Sequence, residues 1–122
     1  MNKIIEKPWG SEEILEANSR YILKRLNINK GHRLSKQYHK YKHETLYLIK
    51  GKANVQLGAR QPEFGNSIVI PEPFTFSIND YIVIEPNMIH RIEALEDCIF
   101  LEASTPELWD VERLEDDYNR IE

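Results

Sequence analysis

Residues 21–57, YILKRLNINKGHRLSKQYHKYKHETLYLIKGKANVQL, place a polar segment with three histidines between stretches in which apolar and polar side chains alternate. Ile22, Leu26 and Ile28 recur on two-residue steps, which is typical of a β-strand with one buried face. Lys24 falls on the same face, so the pattern predicts one ammonium group directed into the fold.

Further alternating runs predict a mainly β fold. The runs are short and bounded by Gly, Pro, Asn or Asp, which indicates a sandwich or barrel. They cover residues 44–50, 52–57, 67–70, 75–78, 81–85, 90–94 and 98–103. Gly51 predicts a hairpin that makes the first two runs antiparallel neighbours. Residues 58–74 are predicted as a long connection with a minor strand, and helical periodicity is confined to a tail at 109–121 and to 11–17.

The composition is that of one globular domain. The chain has 122 residues, 41% apolar and 30% charged, with no internal repeat or low-complexity linker, so we expect a single domain over residues 1–122. A lone cysteine, Cys98, cannot form an internal disulfide and fits a reducing compartment. Neither a signal peptide nor a membrane anchor is expected, which predicts a cytoplasmic protein.

The charge distribution favours a small anionic ligand over nucleic acid. Sixteen Lys and Arg against 20 Asp and Glu leave a formal charge of −4, the wrong sign for attraction to a phosphate backbone. Residues 20–52 hold ten basic residues against Glu44 alone, whereas residues 93–122 are mostly acidic. One interpretation is a small anion near the basic third, and the alternative is solvated surface charge.

The polar segment predicts a point where several side chains converge. Gln37 and His39 are two residues apart, so they share one face of an extended chain. Glu44 opens the next apolar run and would place a carboxylate at the edge of the interior, where an unpaired charge is costly. Together with the later His90, these residues offer an amide oxygen, a carboxylate and two imidazoles, a set that suits a divalent first-row metal. The alternative is four separate polar residues.

The spacing of these residues resembles the first cupin motif. It runs from Gly31 through five residues to Gln-x-His, through four more to Glu44, and through six more to Gly51. Gln37 takes the place of the usual first histidine. The resemblance therefore assigns Gln37, His39 and Glu44 to metal-ligand positions.

The second cupin motif is matched more loosely. Asn79 and Asn87 stand where glycine is usual, and asparagine tolerates positive φ better than most residues. His90 matches the fourth ligand position. The resemblance implies an all-β cupin jelly-roll β-barrel, which here would carry the short helical tail, and one divalent metal ion bound by Gln37, His39, Glu44 and His90.

Longer segments resemble the cupin domain of type II mannose-6-phosphate isomerases. They are 7–10 (Lys-Pro-Trp-Gly), 21–26, 34–39, 90–92 and the tail 111–120. That domain is usually the carboxy-terminal part of a bifunctional enzyme of GDP-mannose biosynthesis, whose other activity is that of a mannose-1-phosphate guanylyltransferase. The resemblance implies interconversion of mannose 6-phosphate and fructose 6-phosphate. Because the chain has no Gly-rich phosphate loop, nucleotidyl transfer by this chain alone is not expected.

Aldose-ketose isomerisation moves a proton between adjacent carbons and needs an electrophile and a base. A metal ion would be the electrophile. Two residues are candidates for the base. Lys24 on an apolar face predicts a depressed pKa or an anionic partner, unless its ammonium reaches water at the strand edge. Glu102 matches a family position, and its alternatives are a salt bridge or a contact that orients a ligand histidine.

Two basic residues are assigned to the substrate. Arg120 resembles the family's carboxy-terminal arginine, whose planar guanidinium suits bidentate phosphate capture at a catalytic site; the alternative is a solvated charge. Lys36 stands beside Gln37 in place of an apolar residue of the family. Trp9 is predicted to pack across the sheet, and His43 is predicted to face away from the ligands.

Two other functions fit the same residues: a non-catalytic sugar-binding cupin, and a metal-dependent cupin oxygenase. The ligand set suits Zn, Mn, Fe, Co and Ni alike. We expect a homodimer, because pairing would cover exposed sheet edges, and we expect neither nucleic acid nor a membrane as a partner.

Overall fold

The computed structural model describes residues 3–61, 67–69, 72–107 and 109–120, and within these ranges the chain forms strands and turns without a helix. The described strands lie in two antiparallel sheets, which confirms the all-β jelly roll. They are β1 (Lys3–Lys7), β2 (Gly10–Ala17), β3 (Ile22–Ile28), β4 (Lys36–Tyr38), β5 (Glu44–Lys50), β6 (Ala53–Gln61), β7 (Ser67–Val69), β8 (Phe74–Phe76), β9 (Tyr81–Ile84), β10 (Met88–Ala94), β11 (Cys98–Ser104) and β12 (Glu112–Glu115).

The first sheet has the strand order β1-β2-β3-β11-β5-β9, and the second has the order β12-β4-β10-β6-β7, with β8 also paired to β6. Buried and half-buried residues alternate along β3 as the period-two pattern predicts. Residues of both sheets meet in one core, which includes Leu26, Leu48, Val55, Ile92 and Phe100. Burial of each of these large side chains contributes roughly 1.5–3 kcal/mol. No helix in the described ranges is long and apolar enough to cross a membrane.

The predicted hairpin at Gly51 is wrong. β5 and β6 follow one another in sequence but lie in different sheets, β5 between β11 and β9 and β6 beside β10. Gly51 has φ +93°, and a Cβ placed there would lie 2.4 Å from the backbone oxygen of Asp97. The chain therefore crosses between the sheets where only glycine fits. Alternation identified both strands, but it carries no information about which strands pair.

The predicted helical tail is also wrong. Residues 112–115 form β12, which pairs antiparallel with β4, and residues 116–120 continue as turn and coil; Ile121 lies outside the described residues. Residues 11–17 belong to β2, which pairs with β1 and β3. In both segments, hydrogen bonds to strands distant in sequence override the local spacing of apolar residues. Residues 58–61 continue β6, so the predicted connection begins later than expected.

Candidate metal centre and its cavity

Three strands bring His39, Glu44 and His90 together inside the barrel. His39 follows β4, Glu44 opens β5 and His90 lies on β10. All three residues are buried, with 3%, 3% and 4% of their surface exposed. The Nε2 atoms of His39 and His90 lie 3.4 and 3.3 Å from Glu44 Oε1. The three side chains thus present their donor atoms to one another within 4.8 Å.

Backbone carbonyls hold the other nitrogen of each imidazole. His39 Nδ1 bonds to the carbonyl oxygen of Asp110, and His90 Nδ1 lies 3.1 Å from the carbonyl oxygen of Met88. A carbonyl oxygen only accepts, so each Nδ1 carries the hydrogen. In a neutral imidazole the Nε2 lone pair then faces Glu44.

This convergence fits a divalent cation. Two nitrogen lone pairs and a carboxylate oxygen repel one another unless positive charge lies between them. His39 Nε2 is buried and has no hydrogen-bond partner among the described residues. Two imidazoles and a carboxylate, each imidazole oriented from behind by a carbonyl, are the donors that first-row metals take in proteins.

Gln37 lies beside this cluster. Its Nε2 is 3.4 Å from His90 Nε2, and its Oε1 accepts a hydrogen bond of 2.6 Å from the Ser35 hydroxyl. A half-turn of the amide would exchange the two atoms, and Ser35 could then accept from the amide nitrogen. Gln37 therefore stands where its oxygen could join the three buried donors.

A chain of alternating charges runs from Glu44 away from the histidines. Lys42 Nζ lies 3.2 Å from Glu44 Oε2 and 3.4 Å from Glu102 Oε2. Lys24 Nζ lies 3.8 Å from Glu102 Oε2 and 2.5 Å from Glu12 Oε1. All of these residues except the half-buried Glu12 are buried, so their charges depend on their neighbours for compensation.

The chain of alternating charges shifts the pKa values of the residues within it. Burial and the Glu44 carboxylate raise the pKa of Glu102 to about 7, against the effect of Lys42 and Lys24. Burial also opposes ionisation of Glu44, but hydrogen bonds from His39 and His90 in their protonated form and the Lys42 ammonium hold its pKa well below the ordinary value. Burial lowers the pKa of Lys42, but the carboxylates of Glu102 and Glu44 raise it by more, so the pKa of Lys42 lies above its ordinary value.

A cavity of about 340 Å³ opens beside the cluster. Described residues of its wall include Gln37, His39, Glu102, Lys24 and Trp9. A smaller cavity of about 20 Å³ reaches Glu44 and His90 and shares Gln37 and Glu102 with the larger one. A ligand in the cavity would therefore meet both the donor cluster and the charge chain. Trp9 is 5% exposed and packs in the core.

The tail organises one side of this cavity. The Asp110 carboxylate accepts hydrogen bonds of 3.1, 2.6 and 2.9 Å from the backbone N–H groups of residues 40–42. The same residue's carbonyl orients His39, so the tail and the loop before β5 are fixed to each other at the cluster. At the surface beside them, the rings of Tyr41 and Trp109 lie 6.0 Å apart, and Trp109 is 72% exposed.

The other residues assigned from sequence have different surroundings. Lys24 has an anionic partner, Glu12, one of the two states expected for a buried lysine. Arg120 lines the cavity, but its guanidinium donates to Asp116. Lys36 pairs with Glu115 and is not among the described residues that line this cavity. The structure thus brings Lys24, Glu102 and Arg120 to the cavity and leaves Lys36 outside it.

Residues of the cavity wall that sequence reasoning missed include Lys42, Asp110 and Arg113. Lys42 belongs to a polar stretch without periodicity, and nothing in the sequence pairs it with Glu102. Asp110 acts mainly through backbone groups, which sequence patterns do not reveal. Arg113 lies in the stretch Val-Glu-Arg-Leu-Glu (111–115), where apolar and polar residues do not alternate, so no signal in the sequence directed it to the cavity.

Solved structures place this fold in a known class. KdgF from Halomonas sp. matches with TM-score 0.71 and 17% identity, covering 85% of this chain and 87% of that one. An RmlC-like cupin from Shewanella frigidimarina matches with TM-score 0.67 and 15% identity, covering 87% and 85%. Likeness at these identities shows the fold, and the protein is a cupin jelly roll.

Sequence comparison defines the family. Residues 1–120 match the family described as mannose-6-phosphate isomerase C-terminal, and the chain belongs to it. Mannose-1-phosphate guanylyltransferase ManC of Salmonella typhimurium is 28% identical over 123 residues, which is 99% of this chain and 24% of that protein. Mannose-1-phosphate guanylyltransferase 2 of Escherichia coli O157:H7 is 28% identical over 85 residues, 68% of this chain and 18% of that protein. The chain thus spans about a quarter or less of the length of these relatives.

Proposed function

We propose that this cupin domain is a metal-dependent isomerase that interconverts mannose 6-phosphate and fructose 6-phosphate. The observation that carries the proposal is the buried His39, Glu44 and His90 cluster, which adjoins a cavity with Glu102 and Lys24 in its wall. Aldose-ketose isomerisation needs an electrophile and a base facing one bound sugar. Membership of the isomerase family supports the choice of substrate.

His39, Glu44 and His90 would hold one divalent cation, with the amide oxygen of Gln37 as a fourth ligand. The cation would supply Lewis acidity at the oxygens on C1 and C2 of the sugar. Carbonyl contacts behind both imidazoles fix the rings in the orientation that presents Nε2. Lys42 stays on the second oxygen of Glu44, which leaves Oε1 facing the histidines.

Glu102 is the residue that we assign to proton transfer. Its carboxylate lines both cavities, so a sugar next to the histidines would have its C1 and C2 within reach of Glu102. In the forward direction Glu102 takes the proton from C2 of the aldose and returns it to C1, while the proton of the C2 hydroxyl passes to the oxygen on C1. Lys24 is held at 2.5 Å by Glu12, and we assign its ammonium to orienting Glu102 and stabilising negative charge on the substrate oxygens.

The test is a coupled assay of mannose 6-phosphate conversion to fructose 6-phosphate by purified protein of measured metal content. Zn, Mn, Co or Ni is added in separate reactions, with a chelator in parallel. We expect turnover that the chelator abolishes. Metal-loaded protein without turnover would contradict the isomerase and favour a non-catalytic sugar-binding cupin.

Histidine variants test the metal centre in the same assay. His39→Ala and His90→Ala should lose bound metal and turnover together, because each removes a buried donor. His43→Ala is the matched control: this histidine is exposed and should keep both properties. Metal retained by both His39→Ala and His90→Ala would overturn the assignment of the ligands.

A further inference from the structure

Arg113 is a part-buried basic residue of the cavity wall. Among the described residues it has no hydrogen bond or ion pair, although its Nε is buried. Its side chain lines the cavity of about 340 Å³. Burial and the nearby charge of Arg120 lower the pKa of its guanidinium, with Asp116 opposing them, but an arginine remains charged in proteins. An unpaired, part-buried cation of this kind favours binding of an anion.

Strand register directs Arg113 towards the metal centre. On β12 it is the direct cross-strand partner of Gln37 on β4, and Gln37 is the partner of His90 on β10. Side chains of directly opposed residues share one face of a sheet. His90, Gln37 and Arg113 therefore form a row across three neighbouring strands, with a backbone span of roughly 10 Å.

Most of the other cations that line the cavity have a carboxylate within salt-bridge distance. Arg120 donates to Asp116 from its backbone N–H at 2.7 Å and from Nε and Nη2 at 2.9 Å each. Lys7 lies 3.7 Å from Glu12, and Lys24 and Lys42 belong to the charge chain. The exposed Lys3 also lines the wall, but it has no rigid fork of donors to orient an anion.

We propose that Arg113 is the phosphate-binding residue of this cavity and binds the phosphate monoester of a sugar whose carbonyl end lies at the metal centre. Two guanidinium N–H groups would donate to two phosphate oxygens, the geometry that arginine forms most readily. Arg120 and Asp116, which bond to each other, would fix the end of the tail near Arg113. The identity of the ligand rests on the proposed function, whereas the anion site rests on Arg113 itself.

Binding of inorganic phosphate and of mannose 6-phosphate, measured by isothermal titration calorimetry at equal metal content, tests the proposal. Arg113→Met keeps most of the side-chain volume and removes the donors. We expect both ligands to bind roughly 10- to 100-fold more weakly, as loss of a charged hydrogen-bond pair implies. Arg25→Met is the matched control, since Arg25 pairs with Glu13 at 3.4 Å and should leave both affinities unchanged.

Kinetics separate this proposal from the proposed function. Arg113→Met should raise the KM for mannose 6-phosphate with little change in kcat, because the phosphate is remote from the reacting carbons. Phosphate binding that depends on Arg113, without any isomerisation, would support the anion site and contradict the isomerase. If the enzyme isomerises the sugar but Arg113→Met changes neither the affinity nor the KM, the isomerase is supported and the anion site is contradicted.

Two further results would also overturn the anion site: a wild-type protein that binds neither ligand, and an equal loss of affinity in Arg25→Met. Circular dichroism and metal content establish that the variants fold. Should Arg113→Met fail to fold, Arg113→Lys carries the test, because it keeps the charge but loses the two-pronged donor geometry. Its phosphate affinity should also fall, and an unchanged affinity would contradict the proposal.

Discussion

Three charged side chains act on Glu102: Lys42 and Lys24 lower its pKa, whereas the Glu44 carboxylate, together with burial, raises it. We predict that Glu102→Gln, which keeps the shape and removes the charge, retains bound metal and loses roughly 10²–10⁴-fold in kcat. Metal analysis and steady-state kinetics on one preparation check this. The exposed Glu96→Gln is the control, and a Glu102→Gln enzyme with near-wild-type kcat would remove Glu102 from the mechanism.

At the scale of single residues, the sequence allowed the donor cluster and the neighbouring Lys24 and Glu102 to be predicted, but not Lys42 or Arg113. Gln37 and His39 share a face by alternation, and Glu44 opens an apolar strand, so local pattern was enough to group them. Lys42, in the loop before β5, pairs with Glu102 on β11, and Arg113 on β12 lies opposite Gln37 on β4; both contacts join residues far apart in sequence. Those contacts depend on register, which a single sequence does not show.

At the scale of elements, the crossing between β5 and β6 depends on Gly51. Gly51→Ala would place a methyl group 2.4 Å from the backbone oxygen of Asp97 and 2.9 Å from Cys98 Sγ. Gly31 also has positive φ, at +85°, but a Cβ there has nothing within 4 Å. Gly31→Ala should cost roughly 1–2 kcal/mol, the penalty of the left-handed backbone alone.

We predict that Gly51→Ala costs roughly 1–3 kcal/mol more than Gly31→Ala, because the chain at Asp97 must also move. Urea unfolding of both variants measures the two free energies. Equal costs would show that the backbone conformation, and not the close approach of Asp97, requires glycine at the crossing.

The tail beyond β12 should loosen in acid. Hydrogen bonds from Arg120, together with the charge of Arg113, lower the pKa of Asp116 from 3.8 to about 2 against the effect of burial. A lowered pKa in the folded state means that the ionised carboxylate stabilises the fold above the ordinary pKa. That stabilisation, up to about 2 kcal/mol, is lost as the pH falls from about 4 to about 2.

Asp116→Asn should therefore be less stable than wild type near neutral pH, and the difference should shrink towards pH 2. Urea unfolding at several pH values between about 5 and 2 measures it. Parallel curves for the two proteins would show that the Asp116 carboxylate does not contribute in this pH range.

The elements themselves were only partly predictable from sequence. Central strands such as β3 and β5 alternate clearly because one face is buried, and their positions were predicted. β12 lies at a sheet edge and has only half-buried and exposed side chains, so its weak pattern resembled a helix. Pairing was the least predictable property, as the separation of β5 from β6 shows.

For the whole molecule, a metal bound only by the folded state should stabilise it. We predict that metal at about 100 times its Kd raises the unfolding free energy by about 2.7 kcal/mol relative to chelator-treated protein. The melting temperature should rise by on the order of 10 °C. Thermal unfolding with and without chelator measures the shift, which His90→Ala should abolish. An equal shift in His90→Ala would place the stabilising metal elsewhere.

The two tryptophans give the molecule a pair of optical reporters with opposite properties. Trp9, 5% exposed, should emit at short wavelength and resist a soluble quencher such as iodide, whereas Trp109, 72% exposed, should emit at longer wavelength and be quenched. Since Trp9 lines the cavity, its fluorescence should change when a sugar phosphate enters. A Trp109→Phe protein would keep Trp9 as its sole tryptophan, and ligand occupancy could then be followed by light emission without any turnover.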